Sequence, residues 1–505
     1  MKQSILKTSG YAGAANLVEL ILALLTAGLS IRFLGLEDAG FFLFFESLMQ
    51  VNGGLFNLGF QSAVTKHAGQ AIAECDEPLA RRFFQVGMSF DLLLVALPCV
   101  IIVCLAPQII EWSDYAGSTT TAVTYIYLAC GALVLSKIQQ VLTTGLMIRH
   151  AYGLLSSFRI ASNILTNGLR IGVLIIAPSL PALGMTNAGV LAIGSTFLAV
   201  VFVRKNHYIP RFYFGKKELS QLWSFTKWEY VWSLCSMLTS NMDRILIVKY
   251  FGLAVLPIYS MAKRVLILGH RFISGFTDYL FPILAGKSDA DRATMIQNMD
   301  YSLRWSLYGL AALLYGSAII LGPVLLNLVV GNDFGSRAQP YIIGFSLVGW
   351  IYLMDILPYH VARASARTYI NTTIMLLSTT IVFSSIWFFA SHGNLLMVVI
   401  CQGFHLPVLI LHNRWAMDYE TMKQSAMRVF SPATGFLIAS VFAIWIYILL
   451  EQTDLPSVLS ALISAALLLS AVLIAIFAEY RFSSNDTIKI TLDALFLKIQ
   501  ERRKV

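Results

Sequence analysis

The sequence predicts an all-α polytopic membrane protein of about fourteen transmembrane helices: two pseudo-symmetric six-helix halves plus two C-terminal helices. Three observations lead there. Of 505 residues, 57% are hydrophobic and only 12% charged, about half the charged share of a soluble protein. A mean hydropathy of +0.72 over that length leaves too little polar residue to cover one water-soluble core. The apolar residues fall in long continuous runs, not the ~10-residue alternations of a membrane β-barrel. Collagen, disordered, coiled-coil and disulfide-scaffold compositions fail on the same numbers.

Each span needs ~20 mostly apolar residues. The first, Ser9–Leu34, follows Lys2 and Lys7 and is too long for a signal-peptide core. The others of the first half are Ala39–Thr65, Phe83–Ala106, Ala122–Met147, Phe158–Pro178 and Met185–Val203. Leu222–Tyr250, Leu256–Ala285, Leu303–Val330, Pro340–His360, Ile370–Ala390 and Asn394–Leu411 form the second half. Pro432–Leu450 and Ser457–Ala478 follow. The corresponding domains are 1–204, a linker 205–221, 222–412, the added pair 413–478, and a basic tail 479–505. In the tail, Ile488, Ile490, Leu492, Leu495, Phe496 and Ile499 alternate with charge. That pattern suits a helix lying on the membrane surface, the alternative being a disordered basic tail.

The net charge of +9 is read as topology rather than nucleic-acid binding. With the N-terminus inside, Arg81, Arg82, Arg149, Arg204, Lys205, Lys216, Lys217, Lys287, Arg292, Arg363, Arg367, Arg414 and the basic tail all fall on the inner side. The outer loops hold Glu37, Asp38, Glu111, Asp114, Asp333, Arg337, Glu451 and Asp454. Both termini are therefore expected in the cytoplasm. Five of the six cysteines lie in apolar segments without metal or redox spacing. No Walker A, HExxH or GxSxG motif occurs, so no cofactor and no enzyme activity are expected. A channel filter is missing too.

An internal repeat supports the two halves. Ile31-Arg-Phe-Leu-Gly-Leu36 parallels Val248-Lys-Tyr-Phe-Gly-Leu253 at an offset of 217 residues, six spans apart. Polar stripes accompany it: Asn16, Glu19, Thr26 and Ser30 on span 1; Ser233, Ser236, Ser240 and Asp243 on span 7. Span 2 carries Glu46, Gln50, Asn57 and Gln61, and span 8 carries Lys263, His270, Ser274 and Asp278. The offset carries Glu46 onto Lys263. A polar face within a bilayer must look at protein or water, so four such faces imply a hydrated cavity. Intramembrane charges cost roughly 2.5–3.5 kcal/mol each on insertion scales. Glu19, Glu46 and Lys137, which shares a face with Gln140 and Thr144, are therefore candidate pathway residues. Arg304 has a simpler reading, snorkelling from a helix end. Asp243 and Arg244 can also pair with a neighbouring helix. His360, His392 and His405 are read as packing or interfacial residues.

Arg32-Phe-Leu-Gly-Leu-Glu-Asp-Ala-Gly-Phe-Phe42, followed by Asn57-Leu-Gly-Phe60, resembles the opening of the Wzx-type polysaccharide lipid flippases. These are O-antigen and capsule exporters of the multidrug/oligosaccharidyl-lipid/polysaccharide superfamily. Asn241-Met-Asp-Arg-Ile-Leu-Ile-Val-Lys-Tyr-Phe-Gly252, Tyr259-Ser-Met-Ala262 and Gly331-Asn-Asp-Phe334 are similar to further segments of that family. The resemblance implies that undecaprenyl-diphosphate-linked oligosaccharides cross the bacterial inner membrane through a cavity lined by helices 1, 2, 4, 7, 8 and 10. It implies a substrate-binding set of Lys137, Arg32, Arg244, Lys263, Arg271, Gln50 and Asn57. Glu19, Glu46, Asp243, Asp278 and Asp355 would serve ion coupling, to H⁺ or Na⁺, or gating. Glu46 and Lys263 either meet as a gate or serve separately. A polysaccharide polymerase and a chain-length protein are the implied partners. Relatives that flip the peptidoglycan precursor are expected to have a strongly cationic cavity. Here acidic and basic intramembrane residues nearly balance, which leaves room for a zwitterionic or acidic sugar. The alternatives are a cation-coupled small-molecule antiporter of the same superfamily and a non-transporting lipid-assembly scaffold.

Overall fold

The computed structural model describes residues 2–482 except 57–58, 150, 276, 278–279, 281–283, 285–287, 332 and 452–456. Side chains are described for these except residues 2–21, 23, 73, 152, 225, 228–229, 232, 289, 451, 457 and 478–482. All regular structure among the described residues is helical. The chain forms two compact units, residues 1–260 with 390–393, and residues 261–389 with 394–505.

The first unit opens on α1, Lys2–Leu55, which is two helices meeting at Gly35 (φ 84°, ψ 172°). It continues through α2 (Phe60–Ala73), α3 (Glu77–Cys104), a short α4 (Ala106–Trp112), α5 (Thr119–Met147), α6 (Tyr152–Ile176), α7 (Leu180–Asn206) and α8 (Lys216–Phe251). Local chemistry sets several starts. Asp76 accepts a hydrogen bond from the Leu79 amide ahead of α3, and Ser179 from the Ala182 amide ahead of α7. Each cap is followed by a proline in the first turn, where no amide is needed. At its other end α7 carries Arg204 and Lys205, cations that suit a helix C-terminus.

The repeat is visible in the backbone. α8 ends at Gly252 (φ 83°, ψ 168°), almost the conformation of Gly35, 217 residues earlier. A positive φ with ψ near 180° is open essentially to glycine alone. Neither glycine would meet another atom through an added Cβ, so the conformation itself demands glycine. Gly35→Ala and Gly252→Ala should each lower the thermal stability of the detergent-purified protein by about 1–3 kcal/mol. Ala at Gly131, which is helical and equally open, should not.

Helices in lipid gain little from hydrophobic attraction to each other, so packing and buried polar links hold them. In the first unit Phe84 stacks on Phe202 at 5.0 Å, and Gly145 leaves room for both rings. Gly184 and Gly194 let α7 approach α5, where Gln139 donates to the Leu191 carbonyl at 2.9 Å.

The second unit holds α9 (Leu256–Gly275, from Met261 on), α10 (Asp289–Val329), α11 (Phe334–Leu353), α12 (Ile356–Ala364) and most of α13 (Thr368–Ser391). It continues with α14 (Leu395–Ile400), α15 (Leu406–Ala416), α16 (Met422–Phe430), α17 (Thr434–Glu451) and α18 (Ser457–Phe482). The 41-residue α10 is its central post. Tyr308 stacks on Trp350 of α11 at 5.7 Å, and Trp305 lies 5.3 Å from Phe436 of α17. Leu468 of α18 fills the space beside Gly316. The last two helices are thus part of this unit's core.

Ion pairs and hydrogen bonds tie the connecting segments to each other. In the first unit Arg149 forks onto Glu77 at 2.7 and 2.6 Å and donates to Asn206 at 3.2 Å. The Glu77 carboxylate raises the Arg149 pKa above its ordinary value. Arg81 lies over the Tyr208 ring, 4.6 Å from its centre. The acidic bend at Glu37 and Asp38 instead meets the α4–α5 loop: Tyr115 donates to Asp38 at 2.5 Å and the Ala116 amide to Glu37 at 3.3 Å. Burial, then Asp38, pushes the Tyr115 phenol above its usual range, so it remains the donor. In the second unit Arg367 forks onto Asp418 at 2.7 and 2.8 Å.

Eleven helical segments among the described residues are long and apolar enough to cross a membrane. α1 and the charge-bearing α8 are not among them.

Candidate functional site

In the first unit a cavity of about 320 Å³ is lined by Met49, Gln50, Gly53, Gly54, Val95, Leu133, Ser136, Lys137 and Gln140. On α1, Gly53 adds no side chain to the wall, and Gly54 leaves room for Met237 of α8. Lys137 stands at the border, its Nζ 3.4 Å from Asp91 on α3, with both side chains almost wholly buried. Gln61 donates to Gln140 at 3.2 Å. A buried cation, two carboxamides and a hydroxyl thus converge on one hollow. Such a set can bind an anionic or hydroxylated group.

A second polar seam joins α1 to α6. Glu46 lies 3.8 Å from Arg170, and Thr26 donates to Asn167 at 3.3 Å. α6 explains the arrangement: Ile160, Ile164, Leu165, Leu169, Ile175 and Ile176 face outward, while Asn167 and Arg170 turn to α1. Its apolar face suits lipid and its polar face requires protein. A third group ties α8 to its neighbours. Asp243 accepts from Tyr259, and Arg244 donates to Ser47 at 3.2 Å. Both charges are buried, paired with neighbouring helices as their sequence also allowed.

In the second unit the carboxylate of Asp355 and an oxygen of Asn371 flank the two ring nitrogens of His412. Arg304 bonds Asp300 and Asn413, each at 2.6 Å, and Tyr419 donates to Asp300. Burial pushes the Tyr419 phenol above its ordinary range, which keeps it protonated. Arg304 does not snorkel as its place near a helix end suggested. It is 2% exposed, because Asp300 one turn earlier and Asn413 on α15 draw it inward. A cavity of about 560 Å³ opens beside Asp300, Arg292, Arg367, Asp418 and Arg428.

Of the other candidates, Gln50 lines the smaller cavity and Lys263 is buried in the second unit, while Arg32 and Arg271 are exposed. Asn57, Asp278 and the tail beyond residue 482 lie outside the described residues, as do the side chains of Asn16 and Glu19. Sequence reasoning gave no role to Asp91 or Arg170, though a lone charge in an apolar span signals an unseen partner. His412 and Asn371 were missed outright. Their contact spans 41 residues, and no local pattern marks it.

These features define a polytopic helical membrane protein. Residues 31–336 match the family described as polysaccharide biosynthesis protein, and the chain belongs to it. Lipid II flippase MurJ in an inward closed conformation is similar at 13% identity and a TM-score of 0.66, over 93% of this chain and 98% of that one. An inward-facing multidrug resistance MATE family transporter of the MOP superfamily is similar at 11% identity and 0.65, over 82% and 96%. The bent form of the Vibrio cholerae MATE transporter VcmN gives 14% identity and 0.54, over 84% and 97%. At these identities the likeness is one of fold. No curated protein sequence matches significantly.

Proposed function

We propose that the protein is a flippase moving undecaprenyl-diphosphate-linked oligosaccharide units from the inner to the outer leaflet of a bacterial inner membrane. These units would supply O-antigen, capsule or exopolysaccharide assembly. The observation that carries this reading is the hollow where Lys137, Gln50, Ser136 and Gln140 converge. A diphosphate calls for a cation, and sugar hydroxyls call for carboxamides and hydroxyls. The lipid tail stays in the bilayer while the head group crosses through water. Family membership and the MurJ-like fold support the same assignment.

The cycle is driven by H⁺ or Na⁺ through intramembrane carboxylates such as Glu46, Asp243 or Asp355. No catalysis, nucleic acid or bound metal is part of this reading. A polymerase and a chain-length protein would receive the flipped units. Deletion of the gene should leave lipid-linked oligosaccharide accumulated on the cytoplasmic leaflet, and the intact gene should clear it. Unchanged leaflet distribution would overturn the assignment.

Topology is part of the proposal. The eleven apolar segments, with the two arms of α1 and with α8, make fourteen crossings and two cytoplasmic termini. Single cysteines at Ser118 and Asn394 should then react with an impermeant maleimide from outside. Cysteines at Asp76, Lys216 and Asp289 should react only after permeabilisation. One clear reversal breaks this topology.

A further inference from the structure

His412 sits on α15 with both ring nitrogens committed. Nδ1 faces the carboxylate of Asp355, the residue that precedes α12. Nε2 is 2.9 Å from Oδ1 of Asn371 on α13. The amide of Asn371 is oriented by a second bond, since its Nδ2 donates to the Tyr359 carbonyl at 3.2 Å. The oxygen facing His412 is therefore an acceptor. A neutral imidazole has one N–H, and here it belongs on Nε2. Nδ1 then meets an ionised carboxylate favourably only when it too carries a proton. The His412 side chain is 1% exposed and that of Asp355 32%. The carboxylate is thus the more accessible member of the pair.

We propose that Asp355 and His412 form a proton-binding site that links α12 to α15 and carries the proton coupling of the transport cycle. The coupling clause rests on the flippase reading. When the proton departs from Nδ1 to solvent water, the ring keeps Nε2–H on Asn371 and Asp355 keeps its negative charge. A lone pair then faces a carboxylate, two acceptors in contact, and the α12–α15 link is lost. Proton occupancy and local geometry become one equilibrium. Other titratable groups surround the pair. His405, at the start of α15, and His270 of α9 lie within electrostatic reach of Asp355. On α12 itself His360 is buried, and Arg363 leans on Tyr359 at 3.5 Å. Asn413, the next residue after His412, holds Arg304 with its partner Asp300.

The test uses the full chain in lipid nanodiscs with ¹⁵N-labelled histidine, His412→Asn identifying the His412 resonances. In the protonated state the wild-type ring should carry protons on both nitrogens, and Asp355→Asn should give up the Nδ1 proton more readily than wild type. Should that variant fail to fold, wild-type protein taken from pH 5 to pH 9 should lose the Nδ1 proton while keeping the Nε2 proton. A wild-type ring with a single proton throughout, or the Nε2 proton lost first, overturns the site. Coupling is read in proteoliposomes with a fluorescent undecaprenyl-diphosphate disaccharide. One pH unit of gradient is worth about tenfold per proton. Wild type should accelerate by up to about that factor, and His412→Asn should flip at one rate with or without the gradient. Wild-type flipping indifferent to pH overturns the coupling clause and leaves the flippase reading standing. No flipping by wild type overturns the flippase reading, while the resonance measurement still decides the site.

Discussion

Lys137→Met is expected to cost about 3–5 kcal/mol of stability, because it strands a buried carboxylate. Nζ of Lys137 lies 3.4 Å from Oδ2 of Asp91, and the two side chains are 5% and 2% exposed. With the cation gone, Asp91 either remains charged in a poor solvent or takes up a proton. Asp91→Asn should cost a similar amount for the mirror reason. The double variant Lys137→Met/Asp91→Asn removes both charges and should regain most of the loss, since a buried pair replaced as a whole is often near neutral. Thermal unfolding of detergent-purified protein measures this cycle. The double variant also separates structure from transport. If Lys137 holds an anionic head group at the hollow it lines, that protein is stable yet leaves lipid-linked oligosaccharide on the inner leaflet. Restored export would reduce Lys137 to a structural partner of Asp91.

Arg304→Met is expected to be as damaging to stability, about 3–5 kcal/mol, with a different consequence for transport. The guanidinium bonds Asp300 through Nε and Asn413 through Nη2, both at 2.6 Å. Asp300 is 4% exposed and also accepts from Tyr419. Removing the cation leaves a carboxylate and a carboxamide oxygen short of donors at the junction of α10 and α15. Arg304→Lys should recover little, because one ammonium cannot reproduce two bonds directed by a rigid planar fork. Membrane abundance and melting temperature should fall together. Export per folded molecule should stay near wild type, since Arg304 belongs to no lining of the Lys137 hollow. A fall in export at unchanged abundance would place Arg304 in the transport path instead.

Much of the fold is legible along the chain. Hydropathy marks helices such as Glu77–Cys104 and Leu180–Asn206 because insertion into lipid is decided segment by segment. The 217-residue repeat is legible because the sharp bend between successive helices needs the one residue type that tolerates it, hence Gly35 and Gly252. The polar stripes are legible because a hydrophilic face in a bilayer has few places to point. Thr26 and Glu46 do meet α6. Sequence treated the last two helices as an addition, for no repeat unit claims them. Packing against Trp305, Gly309 and Gly316 makes them core.

The sequence by itself determined class, helical content, repeat and family, since each follows from composition, period or a local backbone demand. Only the tertiary structure decided how charges are partnered. Lys137 found Asp91 across 46 positions of chain, Glu46 found Arg170, and His412 was set between Asp355 and Asn371. Such pairings are absent from local patterns because a buried charge needs any opposite charge or acceptor that reaches it. Several helices offer one, and the close packing of neighbours, set by residues such as Gly145, Gly184 and Gly194, selects which comes within 3–4 Å.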